Sequence, residues 1–138
     1  MESDVLDRPV RDAMTAPVRT VEYDIAVADA ARILLRNRIG ALVVIDDGIA
    51  GILTETDVVE SVAAEHDIRR LTVGQLMTSE VVTVDADATV ETACERMRSR
   101  DVKKLPVTED GDLVGILTTT DVAHALVPDL DDIVLSYQ

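Results

Sequence analysis

The sequence predicts an α/β (α+β) protein built as a tandem, pseudo-twofold pair of β-α-β-β-α repeats. The first observation is an internal duplication. The run VRDAMTAPVRTVEYDIAV from Val10 aligns with VGQLMTSEVVTVDADATV from Val73 at an offset of 63 residues, and GILTETDV from Gly51 aligns with GILTTTDV from Gly115 at an offset of 64. The second observation is that β-branched runs alternate with helical apolar stripes in both copies. Each copy is therefore expected to fold in the same way.

Each copy is expected to open with a strand and to continue with a helix. The β-branched runs Val18–Val21 and Val81–Val84 are typical of short strands. The apolar residues that follow in the first copy lie at helical spacing. They are Val27, Ala30, Ala31, Leu34 and Leu35. The second copy has a matching stripe from Val90 to Met97. Both stripes predict a helix that faces the core.

A hairpin and a second helix complete each copy. The predicted strand pairs are Ala41–Ile45 with Ala50–Thr54, and Leu105–Thr108 with Leu113–Leu117. The tight turns Asp46-Asp47-Gly48 and Glu109-Asp110-Gly111 join the strands of each pair, since glycine readily adopts a positive φ. The last helix of each copy is expected to begin just after Thr54 or Thr118.

The duplication also sets the domain organisation. We place the first repeat at 7–64, a polar linker at 65–72, the second repeat at 73–127 and a C-terminal tail at 128–138. Val5 to Ala13 are expected to form a short amphipathic lead-in helix. Neither copy alone buries its sheet face comfortably, so the two sheets are predicted to pack on each other. The tail is expected to pack on the body or to dock a partner.

Composition and charge exclude several classes of function. The net charge of −14 repels nucleic-acid phosphates and anionic membrane surfaces, so neither is expected as a partner. A surface rich in Asp and poor in Lys is typical of proteins from halophilic archaea, where high salt screens the self-repulsion; an acidic mesophilic protein is the alternative. No segment has the apolar length of a membrane span, and the N-terminus lacks a signal-peptide core. A soluble, cytoplasmic protein is predicted.

Few residues carry catalytic chemistry. Cys94 lies in the apolar stripe of a predicted helix, which indicates a buried structural thiol and fits a reducing cytosol. His66 and His124 do not recur between the copies, and neither has a metal-ligand pattern around it. The sequence contains no nucleophile elbow, Ser-His-Asp order or P-loop. It therefore predicts no enzyme activity, no metal site and no required cofactor.

The duplicated motifs resemble those of a cystathionine-β-synthase (CBS) domain pair, also called a Bateman module. The resemblance rests on Met-Thr at Met14 and Met77, on Leu105–Val107, and above all on the G-h-h-T-x-x-D runs Gly51–Asp57 and Gly115–Asp121. It implies the CBS-domain-pair architecture and an adenosine-containing ligand (AMP, ADP, ATP or S-adenosylmethionine) in two clefts between the repeats. It also implies a homodimer that regulates a separate effector protein rather than an enzyme.

The resemblance further implies which side chains face the ligand. Asp57 and Asp121 correspond to the ribose contact, and the paired oxygens of a carboxylate match a vicinal diol. Hydroxyls lining the same clefts are expected from Thr20, Thr54, Thr56, Thr83, Thr118 and Thr120. Phosphate contacts are expected from Arg38, Lys103 and Lys104, beside free N–H groups at the positive end of each last helix. An aliphatic adenine pocket is expected from Ile39, Ala41, Val102 and Pro106.

Each of these assignments has a structural alternative. Thr54 with Asp57, and Thr118 with Asp121, also fit a capping box, in which hydroxyl and carboxylate satisfy backbone N–H groups. The basic residues equally fit helix-end cations that complement the helix dipole, and the two strand threonines fit ordinary β-formers. Under this alternative the chain is a ligand-independent interaction or dimerisation module with vestigial clefts.

The two copies are not equivalent in sequence. The first has Gly40-Ala41-Leu42-Val43 where the second has Lys103-Lys104-Leu105-Pro106. The first helix begins at Ile25-Ala26 without a cap like Thr89 of the second copy. We therefore expect two unequal sites.

Overall fold

The computed structural model of the chain describes residues 3–127. The helices are α1 (Ser3–Asp7), α2 (Val27–Asn37), α3 (Glu55–Ala63), α4 (Val73–Leu76), α5 (Val90–Arg100) and α6 (Thr119–Leu126). The strands are β1 (Thr20–Glu22), β2 (Ala41–Ile45), β3 (Ile49–Thr54), β4 (Val84–Asp85), β5 (Lys104–Glu109) and β6 (Asp112–Thr118). Each repeat has its own three-stranded sheet, β1-β2-β3 or β4-β5-β6. The α/β class and the β-α-β-β-α order predicted from the sequence are confirmed.

The chain divides into two compact bodies that cut across the duplication. The continuous body is Val18–Val81, and the discontinuous body combines the residues up to Pro17 with those from Val82 onward. Each body thus holds the sheet of one repeat together with the segment that precedes the sheet of the other. The boundaries 7–64 and 73–127 describe the duplication, whereas packing follows this second division. The tail at 128–138 lies outside the described residues.

In the continuous body, β2 is the central strand. It pairs parallel with β1, where Thr20 lies opposite Val43, and antiparallel with β3, where Ala41 lies opposite Thr54. The buried core consists of Val21, Ala30, Leu34, Leu42, Val44, Leu53 and Val73. Each Val or Leu side chain in this set contributes about 1.5–3 kcal/mol when fully buried. Val73 belongs by sequence to the second repeat, so its burial here attaches that segment to the continuous body.

The discontinuous body is built in the same way around β5. β4 pairs with it in parallel, Val84 opposite Val107, and β6 pairs antiparallel, Lys104 opposite Thr118. The core consists of Val10, Val84, Ala86, Val90, Ala93, Met97, Leu105, Val107, Leu117 and Val122. Val10 precedes the first sheet in sequence yet is fully buried in this core, as Val73 is in the other.

The repeated Met-Thr pairs and the repeated glycines contact each other inside each body. In the continuous body, Thr78 and Ile52 exchange two backbone hydrogen bonds of 3.0 Å. A Cβ on Gly51 would lie 2.5 Å from Sδ of Met77 and 2.8 Å from the carbonyl oxygen of Thr78. Only glycine permits so close an approach of two chain segments. The two motifs are therefore two sides of one contact.

The discontinuous body repeats this contact. Thr15 and Ile116 exchange backbone hydrogen bonds of 2.9 and 3.0 Å. A Cβ on Gly115 would lie 2.6 Å from Sδ of Met14 and 2.9 Å from the carbonyl oxygen of Thr15. The first residue of the G-h-h-T-x-x-D run is thus required by packing, independently of any site.

Both hairpin turns agree with the prediction. Asp47 and Gly48 have φ of 55° and 110°, and Asp110 and Gly111 have φ of 52° and 86°. Aspartate and glycine are among the residues that tolerate this region of backbone space. The Asp-Gly pairs therefore set the reversal in each hairpin.

The structure corrects several local predictions. The lead-in is not one helix over Val5–Ala13; Pro9 has an extended backbone (φ −69°, ψ 148°) and separates α1 from a 3₁₀ turn at Val10–Asp12. The first strand of each repeat begins later than predicted, at Thr20 and at Val84. The β-branched residues extend further towards the N-terminus, but a strand begins only where its ladder hydrogen bonds begin. Leu35, predicted in the core stripe, is 78% exposed, since Leu34 and its neighbours on the stripe already cover the core face.

Candidate functional site

Thr54 begins α3 and is hydrogen-bonded to Asp57 in both directions. The N–H of Asp57 donates to Oγ1 of Thr54 at 3.2 Å, and the N–H of Thr54 donates to Oδ2 of Asp57 at 2.9 Å. This is a complete capping box. Asp57 is half-buried, and its other oxygen, Oδ1, accepts no hydrogen bond from the described residues. The carboxylate is therefore held in place with one oxygen open.

Thr118 and Asp121 form the same box at the start of α6, with distances of 3.1 and 2.9 Å. Here the second oxygen is occupied, because Oγ1 of Thr15 donates to Oδ1 of Asp121 at 2.9 Å. Thr78 aligns with Thr15 but makes no such bond to Asp57 within the described part of the chain. Sequence reasoning did not single out Thr15, although its recurrence in the second Met-Thr pair was a signal. The two strand-to-helix junctions, at Thr54 before α3 and at Thr118 before α6, therefore differ in this contact.

Most N–H groups at the start of α3 and α6 are already hydrogen-bonded, which corrects the expectation of several free donors. The first N–H of α3 donates to the carbonyl of Gly40 at 3.0 Å, and the first of α6 donates to the carbonyl of Lys103 at 3.1 Å. The third is used in each capping box. Among the first three in each helix, only the N–H groups of Thr56 and Thr120 lack an acceptor in the described residues. Both threonines are exposed.

The basic residues predicted for phosphate flank these junctions. Lys104 lies directly opposite Thr118 in the β5–β6 ladder, and Lys103 receives the first N–H of α6. Arg38 caps the C-terminus of α2 in the left-handed conformation (φ 53°), two residues before Gly40. Within the described residues, none of the three basic side chains forms an ion pair. The backbones of Lys103 and Lys104, and that of Gly40 near Arg38, thus lie beside the starts of α6 and α3.

The other predicted residues lie on or next to strands that precede the Thr-x-x-Asp motifs. Thr20 is exposed on β1, which is separated from Thr54 by the central strand. Thr83 precedes β4, and its carbonyl accepts a 2.7 Å hydrogen bond from Nη1 of Arg96. Pro106 is buried within β5. Contact of these three with the same ligand as the Thr-x-x-Asp motif stays a prediction.

The residues predicted to form an adenine pocket are partly accessible. Ile39, Ala41 and Val102 are half-buried, unlike Pro106. Val102 lines an apolar cavity of about 290 Å³ between α5 and α6, together with Met97 and Val122.

Cys94 is poorly suited to act as a nucleophile. Cys94 is half-buried rather than buried as predicted. Burial, and then the carboxylates of Glu91 and Glu95, raise the pKa of its thiol, which disfavours the reactive thiolate. His66 and His124 are both exposed. The described residues hold no group of three or more His, Cys, Asp or Glu arranged for a metal ion. Among the described helices, none has the length and apolarity needed to cross a bilayer.

Comparisons with known proteins agree on one family. The CBS domain family model matches residues 10–64 and 73–128. The chain is 34% identical over 119 residues to hypoxic response protein 1 of Mycobacterium tuberculosis, covering 84% of this chain and 83% of that protein. It is similar in structure to a protein of Burkholderia ambifaria described as a signal-transduction protein with CBS domains. The TM-score is 0.80 and the identity 29%, covering 88% of this chain and 95% of that one.

A further similar structure is the CBS domain pair of protein MJ0100 in complex with 5′-methylthioadenosine and S-adenosyl-L-methionine. The TM-score is 0.76 and the identity 28%, covering 84% of this chain and 93% of that one. These likenesses extend over both repeats, and the duplicated Thr-x-x-Asp junctions lie inside the two matched segments. The chain therefore belongs to the CBS-domain family, whose members are in general regulatory ligand-binding modules, and it consists of a CBS domain pair.

Proposed function

We propose that this chain is a regulatory module that senses an adenosine-containing small molecule, AMP, ADP, ATP or S-adenosylmethionine. The observation that carries the proposal is the carboxylate of Asp57, which the capping box holds through Oδ2 while Oδ1 stays open. A positioned, charged acceptor suits the hydroxyl donors of a ribose. The complex of the MJ0100 domain pair with two adenosyl compounds supports this class of ligand.

The polar groups around the junctions fit the remainder of a nucleotide. Arg38, Lys103 and Lys104 are not neutralised by an ion pair in the described residues, so a phosphate can recruit them. Thr56 and Thr120 offer an N–H and a hydroxyl at the positive end of a helix dipole, which favours an anion. S-adenosylmethionine carries no phosphate, and its ammonium and sulfonium charges outweigh its carboxylate, so the basic residues favour it less than AMP. Comparing it with AMP therefore separates the ribose contribution from the phosphate contribution.

We propose that occupancy is read out through protein contacts and not through catalysis. Leu35, Val59 and Val62 are 78%, 66% and 54% exposed on the neighbouring helices α2 and α3. Aliphatic surface of this kind favours burial against protein. A homodimer, and a separate effector protein, are the partners we propose. The net charge of −14 opposes nucleic acid and anionic membranes as partners.

A ligand-independent interaction module is the second candidate function. It is favoured by the two complete capping boxes, because they give Thr54, Asp57, Thr118 and Asp121 a structural role that needs no ligand. Under this candidate the clefts are vestigial, and the repeat serves only as a scaffold for association.

Calorimetric titration at molar salt with AMP, ATP, S-adenosylmethionine and NADH separates the two candidates. The variant is Asp57→Asn with Asp121→Asn, because asparagine keeps an acceptor for the cap while removing the charge. We expect an adenosyl compound to bind the unmodified chain and to lose affinity in the double variant. If no compound binds or raises the melting temperature, the sensing function is wrong and the interaction module stands. If binding is unchanged in the double variant, the assigned site is wrong.

A further inference from the structure

The helix pair α2–α3, which we call the aliphatic face, exposes three large aliphatic side chains. Leu35 on α2, and Val59 and Val62 on α3, are each more than half exposed. The two helices contact each other within the continuous body, so these side chains lie on neighbouring helices. Aliphatic surface in contact with water gains free energy when another protein surface covers it.

The equivalent helix pair of the discontinuous body, α5–α6, which we call the recessed face, has a different surface. An apolar recess of about 290 Å³ lies between the two helices, lined by Cys94, Met97, Arg98, Val102, Thr119 and Val122. Because Arg98 and Thr119 are exposed, the recess can be reached from solvent. Arg98 aligns with Leu35 of the aliphatic face. Ala123 aligns with Val59, so a small side chain on this face replaces an aliphatic projection on the other.

The aliphatic face carries unpaired negative charge on α3. This helix has three carboxylates and no basic residue. Two of the carboxylates, those of Glu55 and Glu60, are exposed and form no ion pair within the described residues. The aligned positions of α6 hold Thr119 and His124. These two carboxylates are therefore not part of the duplicated pattern and belong to the aliphatic face alone.

The recessed face carries unpaired positive charge at the end of α5. Arg98 and Arg100 are exposed, and neither side chain forms an ion pair in the part of the chain that the structure describes. The aligned positions of α2 hold Leu35 and Asn37, so these cations also belong to one repeat only. The unpaired charges at the end of α5 and on α3 thus have opposite signs.

Further charges on α2 and α5 are reversed at aligned positions. Arg32 aligns with Glu95, and Arg38 aligns with Asp101. All four are exposed. Arg32 pairs with Asp29 of its own helix at 2.6 Å, but more than half of each side chain is in contact with solvent, and such a pair contributes little. The reversal therefore extends along the first helix of each face.

These charges distinguish between the ways in which two copies can meet. Contact between two aliphatic faces would bring the carboxylates of α3 towards identical carboxylates. Contact between two recessed faces would bring Arg98 and Arg100 towards identical arginines and leave the recess without an aliphatic side chain to fill it. Contact between unlike faces brings opposite charges together and offers aliphatic projections to the recess. Like charges across an interface disfavour the first two arrangements.

We propose that the aliphatic face of one copy of this chain docks on the recessed face of a second copy. Val59 projects towards the apolar recess, and Glu60 faces the arginines at the end of α5 of the other copy. The inference rests on the homodimer proposed above and adds which surfaces form it. Because each copy has one face of each kind, two reciprocal contacts can close a dimer.

Cys94 lines the recess and is the single cysteine of the chain, so a disulfide can trap the contact. One chain carries Val59→Cys with Cys94→Ala, and the other is the unmodified chain. In an equimolar mixture under mild oxidation, a disulfide between position 59 and Cys94 can only join two chains. The matched control carries Asp46→Cys with Cys94→Ala, which moves the new thiol to the exposed hairpin turn. Mass spectrometry of peptides should show at least about tenfold more of the first disulfide than of the control.

The same mixture contains the results that would overturn the proposal. A main product that joins two copies of position 59, or two copies of Cys94, shows contact between like faces. A yield between position 59 and Cys94 no higher than that of the control shows that the unlike faces do not meet. The mixture contains no ligand, so either result leaves the adenosyl titration unaffected. A monomeric mass of the unmodified chain removes the proposed homodimer as well.

An exchange of charges tests the pairing independently. Glu55→Arg with Glu60→Arg, and separately Arg98→Glu with Arg100→Glu, should each weaken self-association at low salt by at least about tenfold in sedimentation equilibrium. An equimolar mixture of the two variants should associate again, because each supplies the sign that the other lacks. Under contact between like faces, reversing every sign leaves the repulsion unchanged. Undiminished self-association of either variant, or no recovery in the mixture of folded variants, therefore overturns the proposal.

Discussion

Oγ1 of Thr15 donates a 2.9 Å hydrogen bond to Oδ1 of Asp121, whereas Oδ1 of Asp57 has no donor among the described residues. The two aspartates are equivalent in sequence and in their capping boxes, yet only one has both oxygens engaged. A ribose hydroxyl that approaches Asp121 meets an oxygen already bonded to Thr15. If the Thr-x-x-Asp motifs bind ribose as proposed, we predict that the motif with Asp57 binds more tightly than the motif with Asp121.

A two-site titration with the best ligand of the panel tests this ranking. Asp57→Asn is expected to remove the tighter binding event and Asp121→Asn the weaker one. Thr15→Val is expected to bring the two events closer, because it releases Oδ1 of Asp121, and Thr78→Val serves as its matched control. Loss of the tighter event in Asp121→Asn contradicts the ranking.

Gly51→Ala and Gly115→Ala are expected to destabilise the chain. The new Cβ would lie 2.5 Å from Met77 Sδ in one case and 2.6 Å from Met14 Sδ in the other. Relief requires displacement of a packed segment, which costs about 1–3 kcal/mol. Gly74→Ala, whose Cβ would lie 3.1 Å from atoms of Tyr23, is the milder comparison. Urea denaturation should show a clearly larger loss for the first two variants than for the third; equal losses refute the argument.

A missing cap offers a stabilising substitution. Ala26 precedes α2 with φ −68° and ψ 143° and makes no side-chain cap, while Thr89 precedes α5 with φ −77° and ψ 155° and accepts a hydrogen bond from the N–H of Thr92. Because the backbones match, Ala26→Thr should supply the absent acceptor and stabilise the chain by about 0.5–1 kcal/mol. Thr89→Ala should cost a similar amount. A neutral or destabilising Ala26→Thr in thermal or urea unfolding is the contrary result.

The raised pKa of Cys94 predicts a specific pH dependence. Its thiolate should form at a higher pH than that of a small-molecule thiol, which the pH profile of alkylation measures. Because the protonated thiol is favoured in the folded chain, that contribution to stability is complete below the pKa of the unfolded chain and is lost as the pH rises through the folded-state pKa. Cys94→Ala should therefore lose less stability than the unmodified chain in alkaline solution. If the stability of the two proteins falls identically as the pH rises in alkaline solution, the predicted contribution of Cys94 is wrong.

Fragments test the division into bodies. The fragment Val18–Val81 holds every residue of the continuous body, including the buried Val73 and the Thr78 pairing with Ile52. A fragment of equal length, 1–64, matches the start of the sequence repeat but lacks those contacts. We expect more helical signal and a more cooperative thermal transition from Val18–Val81, as judged by circular dichroism. Better folding of 1–64 contradicts the division.

The sequence predicted most elements correctly because their signals are local. Strand β2 was predicted residue for residue, and α3 and α6 begin directly after Thr54 and Thr118 as expected. The capping boxes were also anticipated, since Thr-x-x-Asp determines both of their hydrogen bonds within four residues. These features depend on spacing that can be read from the chain itself.

What the sequence did not predict depends on contacts between distant segments. The bond from Thr15 to Asp121 joins residues 106 apart, and no local pattern encodes it. The comparison of the repeats also could not show that the segment around Val10 packs with the second sheet and the segment around Val73 with the first. The alignment pairs each segment with its copy and carries no information about which sheet it packs on. The exposure of Leu35 was missed for a related reason: apolar spacing marks a helix face but not how far the core extends around it.

The division into bodies has a consequence for how the chain is made. During synthesis the residues of the continuous body emerge as one uninterrupted stretch, so this body can acquire its core while the remainder is still on the ribosome. The residues up to Pro17 precede this stretch, but β6 and α6, which complete their body, are translated only after it. The segment up to Pro17 therefore stays without the rest of its core until the continuous body has been translated, and the order of folding is the reverse of the order in which the two bodies begin to appear.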